Sequence, residues 1–140
     1  MRVLDEIYAY GHPNILCTHT TTIEITKDDE LTVRGNCILG INASKACFDL
    51  SEDLKTQIWN QKKIWVKIET AQYKDQFFGF GNKDLLLLHK EDMVFRTSEF
   101  VCDRTILIRC SKSSANLDRD LINSLTISKK KVKISFLSED

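Results

Sequence analysis

The segment NASKACFDLSEDLKTQIWN, residues 42–60, decides how the rest of the chain is read, because the sequence contains a second version of it. That version is RCSKSSANLDRDLINSL, residues 109–125. At an offset of 67, five residues recur: Ser44, Lys45, Leu50, Asp53 and Leu54 return as Ser111, Lys112, Leu117, Asp120 and Leu121. Similarity at one fixed spacing is typical of a duplicated unit.

Small and apolar residues in both segments follow the same gaps of four, three, four and four. They are Ala43, Cys47, Leu50, Leu54 and Ile58 in the first segment, and Cys110, Ser114, Leu117, Leu121 and Leu125 in the second. This spacing places them on one face of a helix. The first helix begins either near Ser44 or after Leu50, with Ser51 as its N-cap residue.

Matching strands are predicted around the two helices. KIWVKI at 63–68 and KVKI at 131–134 alternate apolar with charged or large residues, which is the pattern of a half-buried strand. In the first half, strands are also predicted over residues 15–26, 31–33 and 37–41. In the second half they are predicted over residues 85–89, 93–97, 99–102 and 104–109, the last two being either separate or one bent strand. The sequence therefore predicts one domain over residues 1–140 with an internal duplication. Its strand-strand-helix-strand halves cover approximately 15–70 and 85–136.

Strands outnumber helices in this prediction. We expect a mainly β fold, a jelly-roll-like sandwich or an open barrel, in which two helices cover the ends or one face. The chain has 140 residues, of which 42% are hydrophobic and 29% charged, so it is long enough for a substantial core. Gly79 and Gly81 alternate with large aromatic residues, which predicts either a β-bulge or a close backbone approach.

Composition restricts the class of partner only weakly. Twenty basic and twenty acidic residues cancel, so the net charge does not favour nucleic acid or an anionic membrane. The longest apolar run is too short to span a bilayer, and the N-terminus does not resemble a secretion signal. Five cysteines without a CxxC spacing argue against a disulfide framework or a zinc ribbon. We therefore expect a cytoplasmic protein with no membrane partner and assign no metal site.

Several polar residues are candidates for chemistry. His12, His19 and His89 suit proton transfer, metal binding or structural hydrogen bonding. The Ser-Lys pairs at 44–45 and 111–112 suit an anion at a helix N-terminus, or a simple cap with a solvated lysine. Three arginines at strand ends, Arg34, Arg96 and Arg104, suit a phosphate or an ion pair with a nearby carboxylate.

The motifs GHPNI (11–15), HTTTIEIT (19–26), LTVRGNCILGINASKA (31–46) and CDRTILIRCSKSS (102–114) resemble the archaeal family catalogued as domain of unknown function 371. The resemblance covers nearly the whole chain. It implies a small, mostly β, jelly-roll-like sandwich and no particular activity. The candidate ligand-binding residues that it indicates are His12, Asn14, His19, Thr21, Arg34, Asn36, Lys45 and Arg104.

Three hypotheses for function follow. The first is a binding module for an anionic ligand: a nucleotide, a phosphorylated metabolite or RNA. The second is a small enzyme with His12 or His19 as general base and Arg34 or Lys45 stabilising an anion; which of them is catalytic, and any cofactor, are unknown. The third is a structural or adaptor subunit that forms a homo-oligomer or binds a protein partner through a β edge, such as residues 77–80.

Overall fold

Two four-stranded β-sheets pack face to face in the computed structural model, which describes residues 1–139. Sheet A has the order β1-β8-β4-β5, and sheet B has the order β3-β2-β6-β7. The strands are β1 (Arg2–Tyr10), β2 (Thr22–Thr26), β3 (Ile38–Gly40), β4 (Lys63–Glu69), β5 (Lys74–Phe80), β6 (Asp92–Arg96), β7 (Thr105–Leu107) and β8 (Lys131–Ser138). Two helices, α1 (Glu52–Trp59) and α2 (Arg119–Ser124), complete the fold. The predicted fold class, a mainly β sandwich with two helices, is confirmed.

One apolar core lies between the sheets, and strand periodicity explains how it forms. In β4, Ile64, Val66 and Ile68 are buried, whereas the alternate residues are only partly covered. The rings of Phe95 and Phe136 stack 6.1 Å apart across the core, and thereby connect sheet B to the central strand β8 of sheet A. None of the helices within residues 1–139 is long and apolar enough to cross a membrane.

The edges of the two sheets approach each other at two corresponding places. Single backbone bridges join Tyr10 to Ile41 and Phe80 to Ile108. All pairs in sheet A are antiparallel, but β2–β3 and β6–β7 run parallel. Antiparallel jelly rolls lack such parallel pairs, so the jelly-roll arrangement stays a prediction.

The helices are shorter than the repeated segments indicate. The first ten residues of segment 42–60 form no α-helix: a 3₁₀ turn at Cys47–Asp49 is followed by extended backbone at Leu50 and Ser51. Ser51 then caps α1 by accepting a hydrogen bond from the N–H of Leu54 (3.1 Å), which confirms the later of the two predicted starts. All ten residues of the two predicted stripes are nevertheless buried.

Four predicted strands are wrong in part or in whole. Only residues 22–26 of the long strand predicted over 15–26 pair in a sheet, because Cys17 takes a left-handed conformation (φ 49°) and the chain bends before Thr22. Residues 31–33, 85–89 and 99–102 form no strand. Leu87 interrupts the apolar run 85–89 with the same left-handed conformation as Cys17 (φ 55°).

Two glycines allow the strands to pass close to the helix ends. An added Cβ on Gly81 would lie 2.0 Å from the carbonyl oxygen of Ile58 in α1, and one on Gly11 would lie 2.4 Å from that of Ile127. The pairing of β4 with β5 shows no register shift at Gly79. The two predicted alternatives for this glycine region are therefore resolved in favour of close backbone approach.

Candidate functional site

The residues singled out in the sequence do not form one cleft. His12, Asn14, His19 and Thr21 lie on the segment between β1 and β2, and Asn36 lies beside it because its carbonyl accepts hydrogen bonds from Thr18 and His19. Lys45 and Arg104 are held elsewhere, each in an ion pair of its own. A surface cavity of about 470 Å³ includes His12 and none of the other seven residues.

The three histidines stabilise turns through the same ring nitrogen. Nδ1 of His12 accepts the backbone N–H of Asn14 (2.9 Å), and Nδ1 of His19 accepts those of Thr21 and Thr22 (3.2 Å each). His89 does the same for the N–H of Asp92 (2.9 Å). An accepting Nδ1 carries no proton, so Nε2 is the protonated nitrogen in each neutral ring. In this arrangement neither nitrogen is ready to act as a general base.

The anion beside Lys45 is supplied by the protein itself. Its Nζ lies 2.8 Å from Oδ1 of Asp5, and Oδ2 of that carboxylate accepts the N–H of Ser51, the cap of α1 (2.8 Å). The second half repeats this arrangement with Lys112, Asp75 and Asp118, at 2.6 and 2.9 Å. The two lysines predicted as anion ligands therefore connect a strand to a helix N-terminus. Arg34 is exposed and forms no ion pair within residues 1–139.

Arg104 belongs to a polar cluster on the outer side of sheet B. Its Nη1 lies 3.2 Å from both Glu24 and Asp92. Burial raises the pKa of Glu24, Asp92 raises it further, and Arg104 opposes both effects. A carboxyl group with a raised pKa is a candidate acid. This one could not be found from sequence, because Glu24 and Asp92 lie on different strands.

Cys102 is the one thiol whose pKa is lowered, to about 7. Burial opposes the thiolate, but hydrogen bonds from the Thr105 hydroxyl, the backbone of Arg104 and the guanidinium of Arg96 outweigh it. Nη2 of Arg96 lies 3.2 Å from the sulfur. Burial raises the pKa of Cys17, Cys47 and Cys110 to about 11, 12 and 12, and raises that of Cys37 as well.

Five lysines lie on the outer face of sheet A. Residues opposite each other in the register share a face. They form the rows Tyr8, Lys133, Glu69 and Lys74, then Glu6, Ser135, Lys67 and Gln76, then Leu137, Trp65 and Phe78, with the pairs Lys63–Phe80 and Tyr10–Lys131 at the ends. Glu139, which directly follows β8, contacts Lys63 and Trp65 of this face. Five lysines and three glutamates therefore give it an excess of two positive charges (5 − 3) within a chain whose net charge is zero.

Aromatic rings lie between these cations. Lys63 Nζ lies 4.2 Å from the ring centre of Phe78, and Lys131 Nζ lies 4.2 Å from that of Tyr8. At the edge of the face, the guanidinium of Arg109 lies 4.6 Å from the ring of Phe80. Such pairs are attracted by the negative face of the ring. The outer face of sheet A therefore presents flat apolar rings and cations together.

A shallow cavity of about 440 Å³ opens at one end of this face. Tyr8, Glu69, Thr70, Ala71, Lys130, Lys131 and Lys133 line it. The sequence contained two signals for this site: the alternating lysines of 63–68 and 131–134, and the run Lys129–Lys131. Neither signal was enough to predict the site, because the sequence does not reveal that β8 lies between β1 and β4 in the sheet. Among residues 1–139, no three His, Cys, Asp or Glu residues are grouped so that they could hold a metal ion.

Comparison with known proteins agrees with the resemblance seen in the motifs. The family described as Domain of unknown function (DUF371) matches residues 7–139. The uncharacterized protein MJ0206 of Methanocaldococcus jannaschii is 47% identical over 119 residues, which cover 85% of this chain and 88% of that protein. The chain therefore belongs to the DUF371 family.

Proposed function

We propose that the protein binds single-stranded nucleic acid on the outer face of sheet A. The observation that carries this proposal is the combination of five lysines with five outward aromatic residues on four adjacent strands: Tyr8, Tyr10, Trp65, Phe78 and Phe80. Cations neutralise the phosphates, while aromatic rings stack on unpaired bases, and both are needed to bind a single strand without a fixed sequence.

The dimensions of the face support a chain-like ligand. Neighbouring strands lie about 4.8 Å apart and residues rise about 3.3 Å each, so four strands of seven residues provide a platform of about 15 by 20 Å. The cations are spread across this platform rather than gathered around one point. A single phosphate would contact only one or two of them, whereas a polymer would contact most.

This proposal places the anionic ligand on a different surface from the one the sequence indicated. Lys45 and Arg104 already contact carboxylates of the protein. In sheet A, Lys131 contacts an aromatic ring, and Lys74 forms no ion pair within residues 1–139. The carboxylates of Glu139, Glu69 and Glu6 lie 3.1, 3.7 and 3.5 Å from Lys63, Lys67 and Lys133. Partly exposed pairs of this kind are weak and exchange readily for a phosphate.

The test is fluorescence anisotropy with labelled 12-nucleotide oligouridine and oligothymidine, measured at several salt concentrations. With three to five lysines in contact, the logarithm of the binding constant should fall with log salt at a slope between about −2 and −3.5. Lys67→Glu and Lys133→Glu should each weaken binding, and Trp65→Ala should cost about 1 to 3 kcal/mol through lost base stacking.

Arg34→Glu is the matched control, since it makes the same charge change on an exposed residue outside sheet A. The binding constant of Arg34→Glu should stay within about twofold of the wild-type value at a salt concentration that screens the effect of net charge. If Arg34→Glu weakens binding as much as Lys67→Glu, or if no oligonucleotide binds at low salt, sheet A is not a nucleic-acid surface.

A further inference from the structure

The segment Leu85–His89 exposes apolar side chains that no other part of residues 1–139 covers. Leu85 and Leu87 are buried, but Leu86 is 57% exposed and Leu88 is 58% exposed. Phe48 and Trp59 extend this surface, because the N–H of Phe48 bonds to the carbonyl of His89 (3.0 Å) and the indole of Trp59 bonds to that of Leu85 (2.7 Å). Both aromatic residues are themselves exposed. A continuous apolar surface of this kind indicates an interaction site.

In the corresponding segment before β2, the backbone N–H groups have an acceptor. There, the N–H groups of Thr18 and His19 donate to the carbonyl of Asn36, at 2.8 and 3.3 Å. The connection between β6 and β7 is shorter than that between β2 and β3. Within residues 1–139, it places no carbonyl beside Leu88 and His89 that corresponds to the carbonyl of Asn36. Within residues 1–139, the N–H groups of Leu88 and His89 have no hydrogen-bond acceptor.

The charges that flank the leucines indicate what covers them. The sequence KDLLLLHKE occupies residues 83–91, and Lys83, Asp84, Lys90 and Glu91 are exposed and form no salt bridge within residues 1–139. If this segment meets a second copy of itself in antiparallel orientation with Leu87 opposite Leu87, then Lys83 faces Glu91 and Asp84 faces Lys90. Each pair occurs twice, and every pair is attractive.

Other registers lose this complementarity. A shift of one residue in one direction places Lys83 opposite Lys90, and a shift in the other direction places Asp84 opposite Glu91. Each of these is a repulsion between like charges, which is costly across an interface. In the centred register Leu86 also faces Leu88 of the other copy, so the two most exposed leucines cover each other.

We propose that this surface joins two copies of the chain in a two-fold symmetric dimer. Such an interface uses the same residues on both copies, which is the commonest arrangement among oligomers. Leu87 has a positive φ, so the segment does not form a continuous β-ladder, and side-chain packing with four flanking ion pairs provides the contact. The dimer is independent of the nucleic-acid proposal, because Leu86 and Leu88 lie outside sheet A.

The test is sedimentation equilibrium of the purified chain over a wide concentration range. The wild-type protein should show a monomer–dimer equilibrium, and Leu86→Ser with Leu88→Ser should abolish it. Leu16→Ser is the matched control, because Leu16 is exposed at the corresponding place in the other half and should leave the dimer unchanged.

Charge exchange tests the register and the identity of the partner. Lys83→Glu or Glu91→Lys alone should weaken the dimer about tenfold or more, because each creates two like-charge contacts. The double variant Lys83→Glu/Glu91→Lys should restore wild-type association, and a mixture of the two single variants should form a heterodimer. A chain that stays monomeric at every concentration, or a double variant no better than the single ones, would overturn the proposal.

Discussion

Cys102 should be the most reactive of the five thiols at neutral pH. The perturbation is alkylation by iodoacetamide between pH 5.5 and 9.5, followed by peptide mass spectrometry that measures each cysteine separately. Although burial opposes the thiolate, Thr105, a backbone hydrogen bond from Arg104 and the guanidinium of Arg96 lower the pKa of Cys102 from the ordinary value of 9.0 to about 7. The thiolate, not the thiol, attacks the reagent, so this shift determines the rate.

The size of the effect follows from the pKa. At pH 7, a thiol with a pKa of about 7 is about half ionised, whereas a thiol at 9.0 is about 1% ionised. The gain of about 50-fold in thiolate is reduced by about 6- to 10-fold, because nucleophilicity falls with basicity. Cys102 should thus react about 5- to 8-fold faster than a free thiol at pH 7, and its rate should stop rising above about pH 8.

Two comparisons make this result decisive. Arg96→Gln should move the midpoint of the Cys102 rate profile upward, while Arg109→Gln, which removes another arginine from the face of a phenylalanine ring, should not. The buried Cys17, Cys47 and Cys110 should stay unmodified in the native protein. A Cys102 midpoint above about 8.5, or one that Arg96→Gln does not change, would refute the assignment of the low pKa to this hydrogen-bonded cluster.

Three further variants test the architecture. Gln61→Gly should stabilise the protein by about 1 kcal/mol in thermal denaturation, because Gln61 ends α1 with a positive φ (59°), where glycine is favoured. Gly81→Ala should destabilise it by about 3 kcal/mol or more, because the new methyl group meets backbone atoms of Ile58; a smaller loss than that of Gly35→Ala would contradict this. Asp75→Asn should flatten the acid limb of stability against pH. Although burial opposes the carboxylate, Lys112 and two backbone N–H groups lower the pKa of Asp75 below its ordinary value of 3.8. The ionised Asp75 therefore stabilises the fold above pH 3.8, and this stabilisation is lost as the pH falls through the folded-state pKa.

The sequence predicted burial better than it predicted local conformation. The stripe from Ala43 to Ile58 is buried as expected, yet its first half is a loop and a 3₁₀ turn. A loop can also direct side chains at the core when they are spaced three and four residues apart. The spacing alone therefore did not distinguish a helix from a loop. The left-handed residues Cys17 and Leu87 are apolar and gave no sign that a strand would be interrupted there.

The candidate site required strand order, which periodicity does not contain. Lys67 and Lys133 were visible on alternating strands, but only the register places them on neighbouring strands of one face. The same limit hid the contact of Arg104 with Glu24, which are far apart in sequence. The internal duplication stays a prediction. Each sheet reads the same when β1–β4 are exchanged with β5–β8, which supports it.

The position of β8 has a consequence for how the chain is made. This strand follows all others in the sequence, yet it lies in the middle of sheet A and pairs on both sides with β1 and β4. A growing chain that has not yet released residues 131–138 from the ribosome has two open strand edges where β8 belongs, and such edges favour pairing with other chains. The sheet therefore forms only after synthesis of this segment, and its completion joins residues from opposite ends of the sequence.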